Sequence, residues 1–213
     1  MKKLNNSAYS AGLTGCGFML SEMIAILPIL LQPNAEDLLR QEIYKNEYLS
    51  MRSEATRSRA IAEFKRRYAA MPKSFWEDFL LMTTEEQRIA MFFVILKTYR
   101  IAFDCQTNVV LKRWISANQY AYKSDFVNLM NDHSIVDDFV LSWTDATKGK
   151  VASTLITILR QVGLMSADSG QLHSIYLPDT SWAYYYKIGE PWFLDACLLE
   201  PYEVERIKQS ALL

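Results

Sequence analysis

The chain has 213 residues, a length that allows a sizeable core. Its formal net charge of -1 departs from the strongly positive charge of a dedicated nucleic-acid binder. The hydrophobic fraction is 50% and the charged fraction 22%, both ordinary for a globular protein, while few glycines (7) and prolines (6) argue against turn-rich β architecture. The composition therefore predicts an all-α or mainly α chain, and we expect an all-α protein with a compact multi-helix globular fold. The three cysteines are widely spaced, which favours inert thiols over disulfides or a zinc site: Cys16, Cys105 and Cys197.

The N-terminal segment contains the sequence LTGC, ending at Cys16, which resembles the end of a lipoprotein signal. The apolar region that such a signal needs before the cysteine is missing, because residues 5–12 are polar and small. An apolar run follows instead at residues 18–31, but it contains Glu22 and Pro28 and is shorter than the roughly 20 residues that cross a bilayer. We therefore expect a buried core helix, no membrane insertion and a cytoplasmic location.

A first helix-turn-helix element is predicted in the N-terminal third of the chain. Asn34 is a natural N-cap, and Glu36 and Asp37 follow in the first turn, where the helix dipole favours acidic residues. A short helix over residues 35–44 then leads through a connector to an amphipathic basic helix, which ends before Pro72. A helix, a short connector and a second helix form the order of a helix-turn-helix.

The second helix of this element carries a concentration of positive charge. At 100° per residue, Arg59 and Arg66 lie nearly opposite the apolar face, so they are the best placed to meet DNA phosphates. Lys65 and Arg67 lie on the flanks of this outward face. The candidate DNA-contacting residues of this region are Arg52, Arg57, Arg59, Lys65, Arg66 and Arg67.

Two features of the same helix favour a plainer interpretation. Arg57 lies on the apolar side, one turn before Ile61, so it is expected to close the end of the helix. Glu63 lies four residues after Arg59 and three before Arg66, and a solvated ion-pair network accounts for these three charges. The phosphate-binding and solvated-face interpretations both stay open.

The middle of the chain is predicted to be helical and largely buried. Thr84 and Gln87 have capping-box spacing and begin an apolar helix over residues 85–103, which we expect to be the central buried strut. Further helices are predicted over residues 107–122, 125–130 and 135–141.

A second element, with the order of a winged helix, is predicted over residues 145–178. Thr144 or Thr147 can cap a helix whose apolar residues repeat at helical spacing, and Gly163 stands at its C-terminal end. Two short apolar runs follow, at residues 164–165 and 175–177, and predict a small hairpin. Helix, glycine and hairpin together are typical of a winged helix.

The polar side of this helix supplies a second set of candidate DNA contacts. Small hydroxyls and an amide beside basic residues are the group types that reach phosphates and base edges in a major groove. A neutral solvated face is the alternative interpretation. The candidate contacts are Lys148, Lys150, Ser153, Thr154 and Thr157, with Arg160 and Gln161 beside them.

The sequence has no recognisable catalytic motif. It contains no P-loop glycine pattern, no nucleophile elbow and no His-Glu-x-x-His segment. His133 lies near acidic residues but lacks the spacing of a metal site, so a capped loop is expected there, and His173 is expected in the hairpin. We therefore predict a non-enzymatic protein without a cofactor or metal.

The order of these segments resembles a known family. Three features are similar to BrxA, the small core protein of bacteriophage exclusion (BREX) defence systems. They are an N-terminal YSAGLTG, a basic helix ending FKRRYAAM and the pattern T..KV...L...L...GLM. The resemblance spans about residues 7–178. It implies an all-helical protein with two helix-turn-helix elements that binds double-stranded DNA in a cytoplasmic defence complex. The positions carried over are the six basic residues of the first element and Lys148, Lys150 and Thr154 of the second.

The predicted organisation is three regions packed as one body: residues 1–72, 73–143 and 144–213. With the resemblance, we expect double-stranded DNA and other BREX proteins as partners, and a monomer in isolation. The alternative is a protein-protein adaptor or scaffold with only incidental DNA contact. Its docking residues would be the aromatic ones of the C-terminal tail, Trp182, Tyr184, Tyr185 and Trp192.

Overall fold

The structure, a computed structural model, describes residues 7–211. The fold is all-α, as the composition predicts, and within this range the extended segments form isolated β-bridges rather than strands. The described chain divides into two compact units. The first unit is Gly12–Thr98, and the second takes the described residues up to Ala11 together with those from Tyr99 onwards.

The first unit packs its helices on a buried apolar core. The helices are α1 (Leu13–Cys16), α2 (Leu20–Leu30), α3 (Ala35–Lys45), α4 (Glu54–Ala69), α5 (Lys73–Leu81) and α6 (Thr84–Thr98). Every residue from 89 to 96 in α6 is buried, which confirms the central strut. Aromatic rings of α5 pack against it, with the Phe75 and Phe93 ring centroids 5.9 Å apart.

The apolar run near the N-terminus forms α2, a core helix as expected. Met23, Ile26 and Leu27 are fully buried, while Pro28 lies within the helix on an exposed position. The helix therefore accommodates the proline rather than ending at it. Among the helices of residues 7–211, none combines the length and the apolar content that a membrane span requires.

Two predicted helix caps differ from those in the structure. Asn34 precedes α3, but its side chain makes no capping hydrogen bond. At α6 the capping box joins Thr83 and Glu86 instead of Thr84 and Gln87: the Thr83 N–H donates to the Glu86 carboxylate at 2.8 Å, and the Glu86 N–H donates to the Thr83 hydroxyl at 3.3 Å. Both pairs have the same spacing, and the charged carboxylate is the stronger acceptor.

The second unit contains α7 (Arg100–Cys105), α8 (Leu111–Trp114), α9 (Lys123–Val136), α10 (Asp138–Leu141), α11 (Asp145–Val162), α12 (Asp179–Lys187), α13 (Trp192–Ala196) and α14 (Pro201–Ala211), with a π-helical segment (Gln106–Val110) between α7 and α8. The helix predicted over residues 85–103 is two helices, because Tyr99 has extended backbone. The helix predicted over residues 107–122 ends at Trp114. The helix predicted over residues 125–130 forms within the longer α9.

A small hairpin follows α11. Gly163 ends the helix in the left-handed region, with φ at 95°, as the sequence predicts. Met165 then pairs antiparallel with Leu172, so the returning arm lies earlier than the predicted residues 175–177. Leu172, which is 2% exposed, provides the apolar anchor of the returning arm, and Leu177 of the predicted run is also buried, outside the paired residues.

Residues 119–121 lie alongside this hairpin as a third extended segment. Tyr120 pairs antiparallel with Gln171, and the Ala121 N–H donates to the Gly170 carbonyl at 2.9 Å. A Cβ at Gly170 would lie 2.4 Å from the Ala121 carbonyl oxygen. Glycine is therefore required for this close backbone approach.

The division into three regions, at residues 72 and 143, stays a prediction. In the structure the change from one unit to the other falls between Thr98 and Tyr99, inside the predicted central region. Residues 1–6 and 212–213, at the outer ends of the first and third regions, lie outside the described residues.

The cysteines are free thiols. Cys105 and Cys197 are buried and Cys16 is partly exposed. Burial raises the pKa of all three thiols, which keeps them in the protonated, unreactive form at neutral pH.

Candidate nucleic-acid interface

The connector between α3 and α4 is organised by one buried carboxylate. Glu42 is 2% exposed and accepts the backbone N–H groups of Glu47, Tyr48 and Leu49 at 2.9–3.0 Å. Three converging donors satisfy a charge that would be costly to bury alone. The sequence prediction missed Glu42, because its partners are backbone groups that leave no residue pattern.

Arg57 ties the same connector to α4. Its Nε donates to the Ile43 carbonyl at 2.6 Å, and its Nη1 donates to the Met51 carbonyl at 2.7 Å. The residue is 6% exposed, so its guanidinium is committed to the connector. The prediction that Arg57 closes the end of the helix is confirmed, and its inclusion among the DNA contacts is wrong.

Arg67 is also buried, inside the first unit. Its exposed fraction is 0%, and its Nη1 donates to the Phe18 carbonyl at 2.7 Å, while Nη2 donates to the Gly17 carbonyl. Arg67 follows the buried Phe64 by three residues, so both lie on the same helix face. A side chain without exposed surface cannot reach a phosphate, and Arg67 is therefore removed from the predicted contacts.

The other basic side chains of this region lie at the surface. Arg52 and Arg59 are exposed, and the side chains of Lys65 and Arg66 keep 42% and 50% of their accessible surface. Arg59, Lys65 and Arg66 belong to α4, and Arg52 precedes its N-cap residue, Ser53. These four residues are the part of the predicted basic surface that a phosphate could approach.

Ion pairs accompany this basic surface, and one of them, between Arg66 and Glu63, belongs to the network that the alternative interpretation predicted. The Lys65 Nζ donates to the Glu36 carboxylate at 2.7 Å, and the Arg66 Nε lies 3.7 Å from Glu63. Arg59 donates through Nε to the Ala55 carbonyl of its own helix. The Lys65–Glu36 pair is exposed on both sides and contributes little to stability, so a phosphate can compete with this carboxylate for Lys65. The Glu63 carboxylate is buried, while the Arg66 side chain keeps half of its surface open to a phosphate.

α11 forms with the predicted cap and buried face. The Thr144 hydroxyl accepts the Thr147 N–H at 3.2 Å, which confirms Thr144 as the N-cap. The predicted apolar positions are all buried: Val151, Leu155, Ile158, Leu159 and Val162.

Lys148 does not belong to the exposed side of α11. It is 7% exposed, and its Nζ donates to Asn131 Oδ1 at 2.9 Å and to Ser134 Oγ at 2.8 Å, both on α9. Lys148 precedes the buried Val151 by three residues, so it shares the buried face. Its prediction as a DNA contact is therefore corrected to a link between α9 and α11.

The remaining polar candidates form a stripe on α11. Lys150, Ser153 and Thr157 are exposed and Thr154 is half-buried. The hydroxyls of Ser153, Thr154 and Thr157 each donate to the carbonyl four residues earlier, at 2.9 Å. Because their protons are used within the helix, these hydroxyls offer acceptor lone pairs, which suit the amino groups of bases better than phosphates. Arg160 and Gln161 are exposed beside them.

A buried ionisable cluster in the second unit was not predicted. Asp104 is 2% exposed, accepts the Tyr9 hydroxyl at 2.8 Å and pairs with the Arg100 Nε at 2.8 Å. His133 lies beside it, with its Nδ1 3.4 Å from the Tyr9 hydroxyl oxygen. Burial, followed by the bond to Asp104, raises the pKa of Tyr9 to about 12. The cluster attaches residues 7–11 to the helices of this unit.

Two other features bear on chemistry. Among residues 7–211, no group of three or more His, Cys, Asp or Glu side chains is arranged to hold a metal ion. An open groove of about 440 Å³ lies between the π-helical segment, α8 and α9, and Lys112, Arg113 and Asp132 line part of it. The prediction of a non-enzymatic protein stays a prediction.

A comparison of the sequence with models of known protein families identifies the family of this chain. The BrxA family model matches residues 7–186. The chain belongs to the BrxA family. The resemblance seen in the sequence is thereby confirmed, and this BrxA-family protein is associated with BREX antiviral defence. No curated protein matches the chain at a significant level.

Solved structures share the fold of this BrxA-family chain. One is the crystal structure of an uncharacterized protein from Magnetospirillum magneticum, with 21% sequence identity and a TM-score of 0.76. The match covers 90% of this chain and 98% of the other. At this level of identity the similarity establishes the fold alone.

Proposed function

We propose that this BrxA-family protein binds double-stranded DNA as a non-enzymatic accessory component of a BREX defence system. The observation that carries the proposal is the exposed polar stripe of α11, on a helix whose opposite face is buried. The elements around α11 support the proposal: α9 and the short α10 precede it, the hairpin follows it, and residues 119–121 lie alongside the hairpin. This is the element order of a winged helix-turn-helix, in which the second helix enters the major groove.

In this proposal α11 supplies both phosphate and base contacts. The major groove is wide enough to admit an α-helix. Lys150 and Arg160, near opposite ends of the helix, would meet phosphates, while Ser153 and Thr157 between them would accept hydrogen bonds from base amino groups. The division of roles follows from the chemistry of each side chain.

α4 provides the phosphate contacts of the first unit. Arg52, Arg59, Lys65 and Arg66 are accessible, and neutralising phosphates with such side chains releases counterions. The protein as a whole has a formal net charge of -1, so we expect modest and strongly salt-dependent affinity rather than tight binding.

A charge-reversal experiment tests the role of α4. Arg59→Glu combined with Arg66→Glu should weaken duplex binding in an anisotropy titration between about 50 and 200 mM salt, and should reduce the log-log salt slope by about 2. Lys187→Glu combined with Lys208→Glu, both at exposed positions of the second unit, makes the same change in net charge at residues outside the proposed set of DNA contacts. An unchanged slope in the α4 variant would show that the phosphate assignment is wrong.

A neutral variant tests α11. Ser153→Ala with Thr157→Val removes two acceptors without changing charge, so we expect weaker duplex binding with the salt slope retained. Thr180→Val, at an exposed position of α12, is the matched control. Wild-type affinity in the α11 variant would exclude these hydroxyls as base contacts.

An adaptor role is a second candidate, on a different surface from the predicted tail. Of the four predicted docking residues, Trp182 and Tyr185 are only 2% and 3% exposed and belong to the core, while Tyr184 and Trp192 are partly exposed. Ile135, Val136 and Leu141, at the end of α9 and in α10, are instead 82%, 83% and 62% exposed. If this patch binds another BREX protein, Ile135→Ser with Leu141→Ser will abolish nuclease-resistant co-purification and leave duplex binding intact.

A further inference from the structure

Two tyrosine rings lie side by side on the extended segment that accompanies the hairpin. Tyr120 and Tyr122 are two residues apart, so on extended backbone their side chains share one face. The ring centroids are 6.4 Å apart and the ring planes differ by only 14°. The residues are 37% and 52% exposed, which leaves aromatic surface open to solvent.

The backbone that carries these rings is held on both sides. Tyr120 pairs with Gln171, and the Leu172 N–H donates to the Gln119 carbonyl at 2.9 Å. At the other end, the Tyr122 N–H donates to the Asp125 carboxylate at 2.8 Å. Little conformational entropy remains to be lost by the backbone when a ligand binds to the rings.

Positive charge adjoins the pair. Lys123 follows Tyr122 directly, and its Nζ lies 3.6 Å from the position that a Cβ on Gly149 would occupy. Gly149 is in α11 and is followed by the exposed Lys150. The nearest acidic residue along the chain, Asp125, has its charge compensated by Arg113, whose Nη2 lies 2.7 Å from Asp125 Oδ1. The segment that carries the tyrosine rings is therefore followed by a lysine whose side chain reaches the turn of α11 that holds Lys150.

Rings with matching orientation beside ammonium groups have the chemistry of a nucleobase platform. An aromatic face stacks on a base, and a lysine meets the adjoining phosphate. Within a duplex both faces of each base are covered by neighbouring pairs, so a protein ring can stack only where a base has lost a neighbour. The predicted ligand is therefore unpaired DNA rather than intact duplex.

We propose that Tyr120 and Tyr122 form a stacking platform for unpaired DNA bases, with Lys123 and Lys150 binding the adjoining phosphates. This inference rests on the proposed DNA-binding function and extends it from duplex to single-stranded segments, such as overhangs, junctions or bubbles. α11 and the tyrosine platform would then bind the paired and unpaired parts of one DNA molecule.

The test compares two probes, a blunt duplex and a single-stranded oligo-dT of about 16 nucleotides. Tyr120→Leu with Tyr122→Leu keeps apolar bulk but removes the rings, and it should weaken oligo-dT binding by about tenfold or more while blunt-duplex binding changes by less than about twofold. Tyr120→Phe with Tyr122→Phe keeps the rings and should bind oligo-dT like the wild type. Tyr176→Leu, at a position that is 90% exposed, controls for the loss of a surface tyrosine elsewhere.

The outcomes separate this inference from the proposed function. The platform is wrong if the wild type does not bind oligo-dT, if the double leucine variant binds it normally, or if the phenylalanine variant loses as much as the leucine one. Absence of wild-type binding to the blunt duplex would instead contradict the proposed function. In that case, a selective loss of oligo-dT binding in the leucine variant would still support the platform. Circular dichroism of each variant checks that the helical fold is retained.

Discussion

The burial of Arg67 gives the most direct test of how the basic residues of α4 divide their roles. Arg67→Met keeps most of the apolar stem and removes the donors to the Phe18 and Gly17 carbonyls. A hydrogen bond from a charged donor contributes about 1.5–3 kcal/mol, so losing two of them should lower the free energy of unfolding by about 3–6 kcal/mol. For a chain of this length, such a loss lowers Tm on the order of 10 °C.

Arg66→Met is the matched control, because the neighbouring side chain is half exposed. We expect its free energy of unfolding to stay within about 0.5 kcal/mol of the wild type, and its DNA-binding salt slope to fall by about 0.9. Urea unfolding measures the first quantity and anisotropy titration the second. Arg67→Met, assayed well below its Tm, should retain the wild-type slope. If Arg67→Met kept its stability and lost DNA affinity, the structural role assigned to Arg67 would be refuted.

Three further changes test local features. Glu42→Gln should lower the free energy of unfolding by about 1–3 kcal/mol, because one amide oxygen cannot replace a carboxylate that accepts three N–H groups. Urea unfolding measures this difference, and a variant as stable as the wild type would contradict the role of Glu42. Gly170→Ala should lower Tm, because its Cβ would lie 2.4 Å from a backbone carbonyl oxygen. Gly149→Ala, in the interior of α11, should keep or raise Tm, because alanine favours the helix. An equal change in Tm for both variants would exclude a steric cause at Gly170. Burial, followed by the hydrogen bond to Asp104, raises the Tyr9 pKa from 10.0 to about 12, so the stabilisation linked to the protonated phenol is complete below pH 10 and is lost as pH rises through 12. The free energy of unfolding of the wild type, relative to that of Tyr9→Phe, should therefore be constant below pH 10 and fall as the pH rises towards and beyond 12, and a difference that stays constant throughout would argue against the raised pKa.

The elements that were predicted well are those whose signals are local in the chain. α11 has its cap at Thr144, its apolar residues at helical spacing and its end at Gly163, all within one segment. The buried strut of α6 was likewise evident from its run of apolar residues. One prediction that failed depended on a choice between equivalent local signals, Thr83 with Glu86 against Thr84 with Gln87 at the start of α6.

The candidate site was predicted less completely, because charge alone does not report burial. The helical angle had already placed Arg57 on the apolar side, and the same criterion applied to Lys148 would have placed it beside Val151. The roles of these cations, however, depend on groups from elsewhere: Arg57 binds carbonyls of the connector, and Lys148 binds side chains of α9. Those partners could not be identified from helix periodicity.

The sequence by itself determined the all-α class, the family resemblance and the two helices, α4 and α11, that carry the candidate DNA contacts. These properties follow from composition, capping residues and apolar spacing, which act over a few helical turns. Only the tertiary structure decided which basic side chains remain at the surface, because Arg67 finds its acceptors about 50 residues earlier in the chain. It also brought residues 119–121 beside the hairpin, where Tyr120 and Tyr122 share an exposed face. Backbone groups that are distant in sequence supply these contacts, and their positions are fixed only when the helices pack.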